Sequence, residues 1–156
     1  NIIASTRLYG GTITQFSQTI KRFGWSAKFV DFDDLDAIKA AIDDNTRAVF
    51  CESIANPGGY ITDLDAISAI TDAAQIPLIV DNTTATPYLC RPIEHGATLV
   101  VHSTTKYLTG NGTVTGGCVV DDDEPTRRTL YADGHRDPEP ADGAACGKRP
   151  EDCRMA

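Results

Sequence analysis

The sequence predicts an α/β fold in which helices flank a mostly parallel sheet. Short runs of apolar, often β-branched residues alternate along the chain with segments whose apolar residues recur at helical spacing. This alternation is typical of βαβ units, which place successive strands parallel in one sheet. The chain has 156 residues, of which 41% are hydrophobic. It is therefore long enough to bury the core of one ordinary domain.

Six segments have the composition of strands. Each is short, rich in apolar residues and bounded by residues that favour turns. The expected strands cover residues 1–4, 26–32, 47–53, 77–80, 99–101 and 118–120. Residues 77–80 form an unbroken apolar run, which predicts a strand that is buried on both faces.

Three helices are expected between these strands. Their apolar stripes are Ile13, Phe16, Ile20 and Phe23 in the first, Leu35, Ile38 and Ile42 in the second, and Leu64, Ile67 and Ile70 in the third. Such stripes predict that one face of each helix packs on the sheet. Polar residues before the second and third stripes can accept hydrogen bonds from first-turn amides and so cap the helices. The candidate caps are Asp33 or Asp34, and Thr62 or Asp63.

The charge balance argues against several classes of partner. The chain has 14 Lys and Arg against 22 Asp and Glu, a net charge of −8 at pH 7, whereas nucleic acids and anionic membranes need a basic surface. No apolar run approaches a membrane span, and no signal-peptide pattern is present. The cysteines form no C-x-x-C pair, so no metal site is expected. We expect a cytoplasmic protein without a nucleic-acid or membrane partner.

Composition changes near residue 121. An acidic run, Asp121-Asp122-Asp123-Glu124, leads into a polar segment with several prolines and few residues to bury. Such a segment cannot offset the entropy cost of its own ordering. We therefore expect residues 1–120 to form the structured α/β domain and residues 121–156 to form a polar, disordered tail.

Polar residues follow several predicted strands at their carboxyl ends. Ligands of open α/β sheets bind beyond these ends, and the ends of parallel strands meet at one edge. The candidate residues at this edge form three sets: Glu52, Ser53 and Asn56; Asp81, Asn82 and Thr83; and Ser103, Thr105 and Lys106. We expect them to converge on a single rim.

The segment His102-Ser103-Thr104-Thr105-Lys106-Tyr107 contains residue types that suit a phosphorylated carbonyl compound. The hydroxyls of Ser103 and Thr105, two positions apart, are expected to point the same way and can bind a phosphate without a competing charge. The Lys106 amine can attack a carbonyl, because the pKa of a lysine falls readily on desolvation. Asp81, expected to be partly buried, needs a partner such as a protonated ring nitrogen.

Simpler roles stay open for each residue. Lys106 can be a surface lysine at a strand end, Asp81 can cap a helix, and Asn56 can be a turn residue. Tyr9 precedes two glycines and a helix, so it can pack beside a tight turn or mark amides that bind an anion. The glycine-rich residues 110–117 do not open a helix and lack the pattern of a dinucleotide- or nucleotide-binding loop.

Taken in order, these motifs resemble the Cys/Met metabolism family of enzymes that depend on pyridoxal 5′-phosphate (PLP), and within it the O-acetylhomoserine sulfhydrylases. The matching stretches are residues 8–12, 28–31, 52–57, 80–83, 86–88 and 102–107. Their order and spacing agree across nearly all of residues 1–120. The resemblance implies part of the large PLP-binding domain of a fold-type I enzyme, similar to aspartate aminotransferase, with PLP as the cofactor.

The resemblance also implies roles for individual residues. The implied cofactor-binding residues are Lys106, Asp81, Ser103, Thr105, Asn56 and Tyr9. Lys106 would bind the cofactor covalently and move protons, and Asp81 would pair with the ring nitrogen. Tyr9 would stack on the ring and act as a base, so these three would be catalytic. The two hydroxyls would hold the phosphate, and Asn56 would bind the ring hydroxyl.

The implied reaction is γ-replacement. O-acetylhomoserine would lose acetate, and sulfide or a thiol would add, giving homocysteine or methionine. A cystathionine γ-synthase or γ-lyase of the same family remains an alternative, and so does a truncated α/β remnant without catalysis. Parts of the family pattern are absent, so we expect a fragment of an enzyme that forms a homo-oligomer, by likeness a homotetramer.

Overall fold

The computed structural model describes residues 1–122. Six strands form one sheet in the order β2-β1-β3-β4-β5-β6. The strands are β1 (Ile2–Ser5), β2 (Ala27–Val30), β3 (Ala48–Glu52), β4 (Leu78–Asp81), β5 (Leu99–Ser103) and β6 (Gly117–Asp121). All neighbouring strands are parallel except β5 and β6. The predicted mostly parallel α/β sheet is confirmed.

Four α-helices lie between the strands. They are α1 (Gly10–Thr14), α2 (Leu35–Ala41), α3 (Leu64–Ala74) and α4 (Thr86–Leu89). Shorter helical turns cover Gln15–Thr19, Ile20–Phe23, Pro92–His95 and Thr104–Leu108. Of the candidate caps, Asp34 accepts hydrogen bonds from the first-turn amides of α2, and Asp63 accepts one from the first turn of α3. These carboxylates fix where the two helices begin.

Alternating strand residues supply two cores, one on each face of the sheet. The larger core, which includes α2 and α3, contains Ile3, Val49, Cys51, Leu78, Val80 and Val100 from the strands and Ile38, Leu64, Ile67 and Ile70 from the helices. The smaller core contains Ala4, Leu8, Phe16, Ile20 and Phe50. Phe16 and Phe50 meet edge to face with ring centroids 4.9 Å apart. Packing on both faces of the sheet keeps the carboxyl ends of the strands at fixed positions relative to one another.

Two expectations about burial need correction. Phe23 is 70% exposed, although its spacing predicted a buried position. Phe23 is the last residue of the 3₁₀-helical turn Ile20–Phe23, and its ring lies beside the exposed Trp25 with ring centroids 6.3 Å apart. The buried stripe therefore ends at Ile20. In β4, Leu78 and Val80 are buried, whereas Ile79 faces the smaller core and is only half-buried.

The edge strand β6 ends at Asp121, one residue past the predicted domain limit of residue 120. The rest of the predicted tail, residues 123–156, lies outside the described residues. Within residues 1–122, the structure contains no helix with the length and apolarity that a membrane crossing requires.

The order of the strands creates a crevice between β1 and β3. From β1 the chain passes to β2 on one side, and it then returns to β3 on the other side of β1. Such a reversal opens a crevice beyond the carboxyl ends of the strands, where open α/β sheets bind ligands. Because β1, β3, β4 and β5 are parallel, the loops that follow them leave from this same edge.

Candidate active site

A cleft of about 700 Å³ opens at the carboxyl edge of the sheet. Cavities of roughly 300–1,000 Å³ are typical of small-molecule sites. The six residues that the resemblance implies as cofactor-binding all line it, namely Tyr9, Asn56, Asp81, Ser103, Thr105 and Lys106. Of the other residues expected at this edge, Glu52 and Thr83 line the cleft as well. Ser53 and Asn82 do not line it, because both are buried and the Ser53 hydroxyl donates to Asn82 Oδ1. The structure therefore brings together side chains from the ends of four strands.

The buried carboxylate of Glu52 links two of these loops. Glu52 is the last residue of β3 and is 5% exposed. Its Oε1 accepts a hydrogen bond from the Tyr9 N–H at 2.6 Å, and its Oε2 accepts one from the Asn56 N–H at 2.8 Å. Burial raises the pKa of the Glu52 carboxyl, and the nearby charge of Asp81 adds to this rise. The loops after β1 and β3 are thus tied to one side chain.

A tight loop carries Asn56 into the cleft wall. Gly58 has a φ of 103°, and a Cβ there would lie 2.5 Å from the Tyr60 ring, so this turn requires glycine. The Arg7 guanidinium lies 4.3 Å from the centre of the Tyr60 ring and forms an ion pair with Asp33 at 2.7 Å. The Asn56 loop is therefore packed from outside by a cation–π contact.

Two hydrogen bonds through Thr83 join the ends of β4 and β5. Asp81 Oδ1 accepts from the Thr83 N–H at 2.9 Å, and Thr83 Oγ1 accepts from the Ser103 N–H at 2.8 Å. Asp81 also lies opposite Glu52 in the register of β3 and β4. Thr83 therefore fixes Asp81 relative to Ser103, a role that the sequence reasoning missed. Its position directly after a predicted strand was the available signal.

The end of β5 differs from the extended segment that the sequence suggested. Since β5 ends at Ser103 and Thr104–Leu108 is a helical turn, the alternation of a strand does not set the direction of the Thr105 hydroxyl. Thr105 Oγ1 accepts from the Gly116 N–H at 2.9 Å and donates to the Gly116 carbonyl at 3.2 Å. Lys106 interrupts the turn with φ −96° and ψ −123°. Both residues nevertheless line the cleft.

The donor set of the cleft fits a phosphorylated pyridine aldehyde. A carboxylate suits a protonated ring nitrogen, hydroxyls suit a phosphate, and an amine suits an aldehyde. The exposed ring of Tyr9 (54% exposed) offers an aromatic face beside them. In the part of the chain that the structure describes, no group of three His, Cys, Asp or Glu side chains could hold a metal ion.

Comparisons with known proteins agree with this chemistry. The family described as Cys/Met metabolism PLP-dependent enzyme matches residues 1–141. Sulfhydrylase FUB7 of Fusarium oxysporum is 50% identical over 122 residues, which cover 78% of this chain and 28% of that protein. The O-acetyl-L-homoserine sulfhydrylase of Corynebacterium glutamicum is 45% identical over 122 residues, with the same coverage of 78% and 28%. The chain thus spans about 28% of the length of these relatives.

A solved structure from Campylobacter jejuni, named as an O-acetylhomoserine (thiol)-lyase, matches with a TM-score of 0.80 and 42% identity. The match covers 83% of this chain and 31% of that one, which contains N′-pyridoxyl-lysine-5′-monophosphate. The family match reaches past residue 120, and the domain limit at that residue stays a prediction. The fold is that of part of a fold-type I PLP-binding domain. The chain belongs to the Cys/Met metabolism family of PLP-dependent enzymes.

Proposed function

We propose that the whole protein containing this chain catalyses γ-replacement on O-acetylhomoserine with sulfide or a thiol, giving homocysteine or methionine. The observation that carries the proposal is the convergence of Asp81, Ser103 and Lys106 with Tyr9 and Asn56 on one cleft. The relative named O-acetyl-L-homoserine sulfhydrylase supports the choice of substrate.

Two residues would govern the reactivity of the site. PLP, when bound, supplies an electron sink for the negative charge that develops on the substrate carbon. The Lys106 amine would hold the cofactor covalently and would afterwards accept and return a proton at the substrate. The Asp81 carboxylate would keep the ring nitrogen protonated, because an opposite charge nearby favours the charged form.

The remaining residues would bind and orient. The Ser103 and Thr105 hydroxyls would hold the phosphate. Thr105 would turn its one O–H from the Gly116 carbonyl to a phosphate oxygen, while its oxygen would still accept from the Gly116 N–H. Tyr9 would cover one face of the ring and exchange a proton through its hydroxyl. The Asn56 side chain would donate a hydrogen bond to the ring hydroxyl. Holding the ring on several sides limits its motion, which lowers the entropy cost of reaction.

The proposal includes a cytoplasmic homotetramer. Location and assembly are proposed from the likeness to biosynthetic enzymes of the family. Large exposed apolar side chains support association, among them Tyr88 and Leu89, which are 93% and 69% exposed, since such surface is often covered in an assembly. Light scattering coupled to size-exclusion chromatography measures the mass directly, and a monomer at micromolar concentration would contradict this part of the proposal.

The reaction is tested by supplying the whole protein with PLP, O-acetylhomoserine and sulfide. We expect equal amounts of homocysteine and acetate, and no product from Lys106→Ala. The matched control is Lys39→Ala, because Lys39 is an exposed lysine paired with Asp36 on α2, outside the cleft. Release of 2-oxobutyrate without sulfide incorporation would instead identify a γ-lyase. Preference for cysteine as the nucleophile, with cystathionine as the product, would identify a cystathionine γ-synthase. Absence of all three products would overturn the proposal.

A further inference from the structure

We propose that Glu52 is a positioning residue that sets the spacing between the two cleft loops carrying Tyr9 and Asn56. The inference rests on the proposed function, because it assumes that both residues contact the cofactor ring. Glu52 would act through these residues and would not itself touch the reacting atoms.

The surroundings of Glu52 are unusual for a carboxylate. It is 5% exposed, and among residues 1–122 no Lys, Arg or His forms an ion pair with it. A buried charge is unfavourable unless hydrogen bonds compensate for the lost water. Its neighbours on β3, Phe50 and Cys51, are buried in the two cores. The sheet alone therefore gives no reason for a carboxylate at this position.

The hydrogen bonds of the Glu52 side chain explain its presence. The Tyr9 N–H, at 2.6 Å from Oε1, belongs to the loop after β1, and the Asn56 N–H, at 2.8 Å from Oε2, belongs to the loop after β3. The two oxygens of one planar carboxylate have a fixed separation, so they also fix the distance between the two amides. These loops flank the crevice at which the strand order reverses.

Only glutamate among the natural side chains meets both requirements. Glutamine has the same length but offers one acceptor oxygen, and its NH₂ group would face an N–H donor. Aspartate keeps both acceptors but is one methylene shorter, so it cannot reach both amides from the same backbone position. Glu52→Gln should therefore release one loop with little change in side-chain volume.

The first test needs no cofactor. Amide hydrogen exchange of the full 156-residue chain, read by NMR, should show slow exchange at Tyr9 and Asn56, and Glu52→Gln should accelerate at least one of them about tenfold or more. Ser53→Ala is the matched control, because the buried Ser53 hydroxyl bonds to Asn82 instead and its loss should leave both amides unchanged. Unchanged exchange at both amides in Glu52→Gln would overturn the proposal.

A second measurement uses the unmodified protein and so does not depend on how a variant folds. The titratable groups of the cleft are Tyr9, Glu52, Asp81, Lys106 and Tyr107. The amide shifts of Tyr9 and Asn56 should follow one shared acidic titration that persists in Asp81→Asn. Separate titrations, or none, would contradict a shared carboxylate.

A third measurement tests whether the two Glu52 hydrogen bonds affect how the cofactor ring is held. Glu52→Gln should keep PLP attached to Lys106 but bind it about tenfold more weakly, with altered circular dichroism of the bound cofactor. Unaltered dichroism and affinity, with faster amide exchange, would assign Glu52 a purely structural role and overturn the positioning role. If the unmodified protein binds no PLP, the proposed function fails. The exchange rates of the Tyr9 and Asn56 amides still decide whether Glu52 links the two loops.

Discussion

The two sides of the cleft are held together by different chemistry. On the side formed by the loops after β1 and β3, the buried Glu52 carboxylate accepts both linking hydrogen bonds. On the side formed by the ends of β4 and β5, the hydroxyls of Thr83 and Thr105 make the links. A carboxyl group loses acceptor capacity when it is protonated, whereas a threonine hydroxyl does not titrate. The Glu52 links of the first side should therefore respond to pH, whereas the hydroxyl links of the second side should not.

The difference follows from where the charges of the site are needed. Asp81 and Lys106 lie on the second side, and the proposed chemistry depends on the protonation state of each. Neutral hydroxyls link the backbone there and add no further charge. Glu52, by contrast, is the cross-strand neighbour of Asp81, and the charge of Asp81 helps to raise the pKa of the Glu52 carboxyl.

The largest effect is expected from Asp81→Asn. The amide oxygen can still accept from the Thr83 N–H, so the free energy of unfolding should change by less than about 0.5 kcal/mol. The affinity for PLP should fall about 10- to 100-fold, because hydrogen bonds to charged groups contribute roughly 1.5–3 kcal/mol. A PLP titration followed by absorbance, with urea unfolding as the control for stability, measures both quantities. An unchanged affinity for PLP would show that Asp81 does not interact with the cofactor.

A smaller effect is expected from Thr83→Val, which keeps the shape of the side chain but removes the acceptor for the Ser103 N–H. The loss should cost about 1 kcal/mol of unfolding free energy, and the cost should be equal at pH 5 and pH 7.5. Urea unfolding at the two pH values checks this. A cost that differs between pH 5 and pH 7.5 would contradict the expected pH independence of the hydroxyl links at the ends of β4 and β5.

The smallest effect is a pH dependence of stability that Glu52 should confer. Burial raises its pKa above the ordinary value of 4.5, although two amide hydrogen bonds oppose the rise. Between 4.5 and the raised pKa, the folded chain keeps a proton that the unfolded chain releases, so stability falls as pH increases. Glu52→Gln should lack this fall. Urea unfolding from pH 4 to 7.5 compares the two proteins, and parallel curves would contradict the raised pKa.

Local signals in the sequence were enough to predict most of the fold. Apolar runs located the strands. The candidate caps Asp33 or Asp34 and Thr62 or Asp63 marked two helix starts to within one residue, because capping depends on neighbouring amides only, and the structure selects Asp34 and Asp63. The spacing of the first stripe continues through Phe23, but the structure ends the buried stripe at Ile20 and places Phe23 beside Trp25. Spacing alone does not show how far along a helix the packing surface of the sheet extends, so the exposure of Phe23 could not be predicted.

The sequence was enough to predict which residues line the cleft, but not the hydrogen bonds between them. The rule for strand ends correctly places Asp81, Ser103 and Lys106 at one edge of the sheet. The contact between Glu52 and the Tyr9 amide joins residues 43 positions apart. Which amide a carboxylate faces at that separation depends on how β1 and β3 pair, and neither residue type alone indicates it.

The most direct test of the convergence of these strand ends is to map where PLP attaches. The whole protein is incubated with PLP and reduced with borohydride, and its peptides are then identified by mass spectrometry. We expect a pyridoxyl group on Lys106 at close to one per chain and almost none on the exposed Lys39. Modification spread over the lysines, or absent from Lys106, would contradict this expectation.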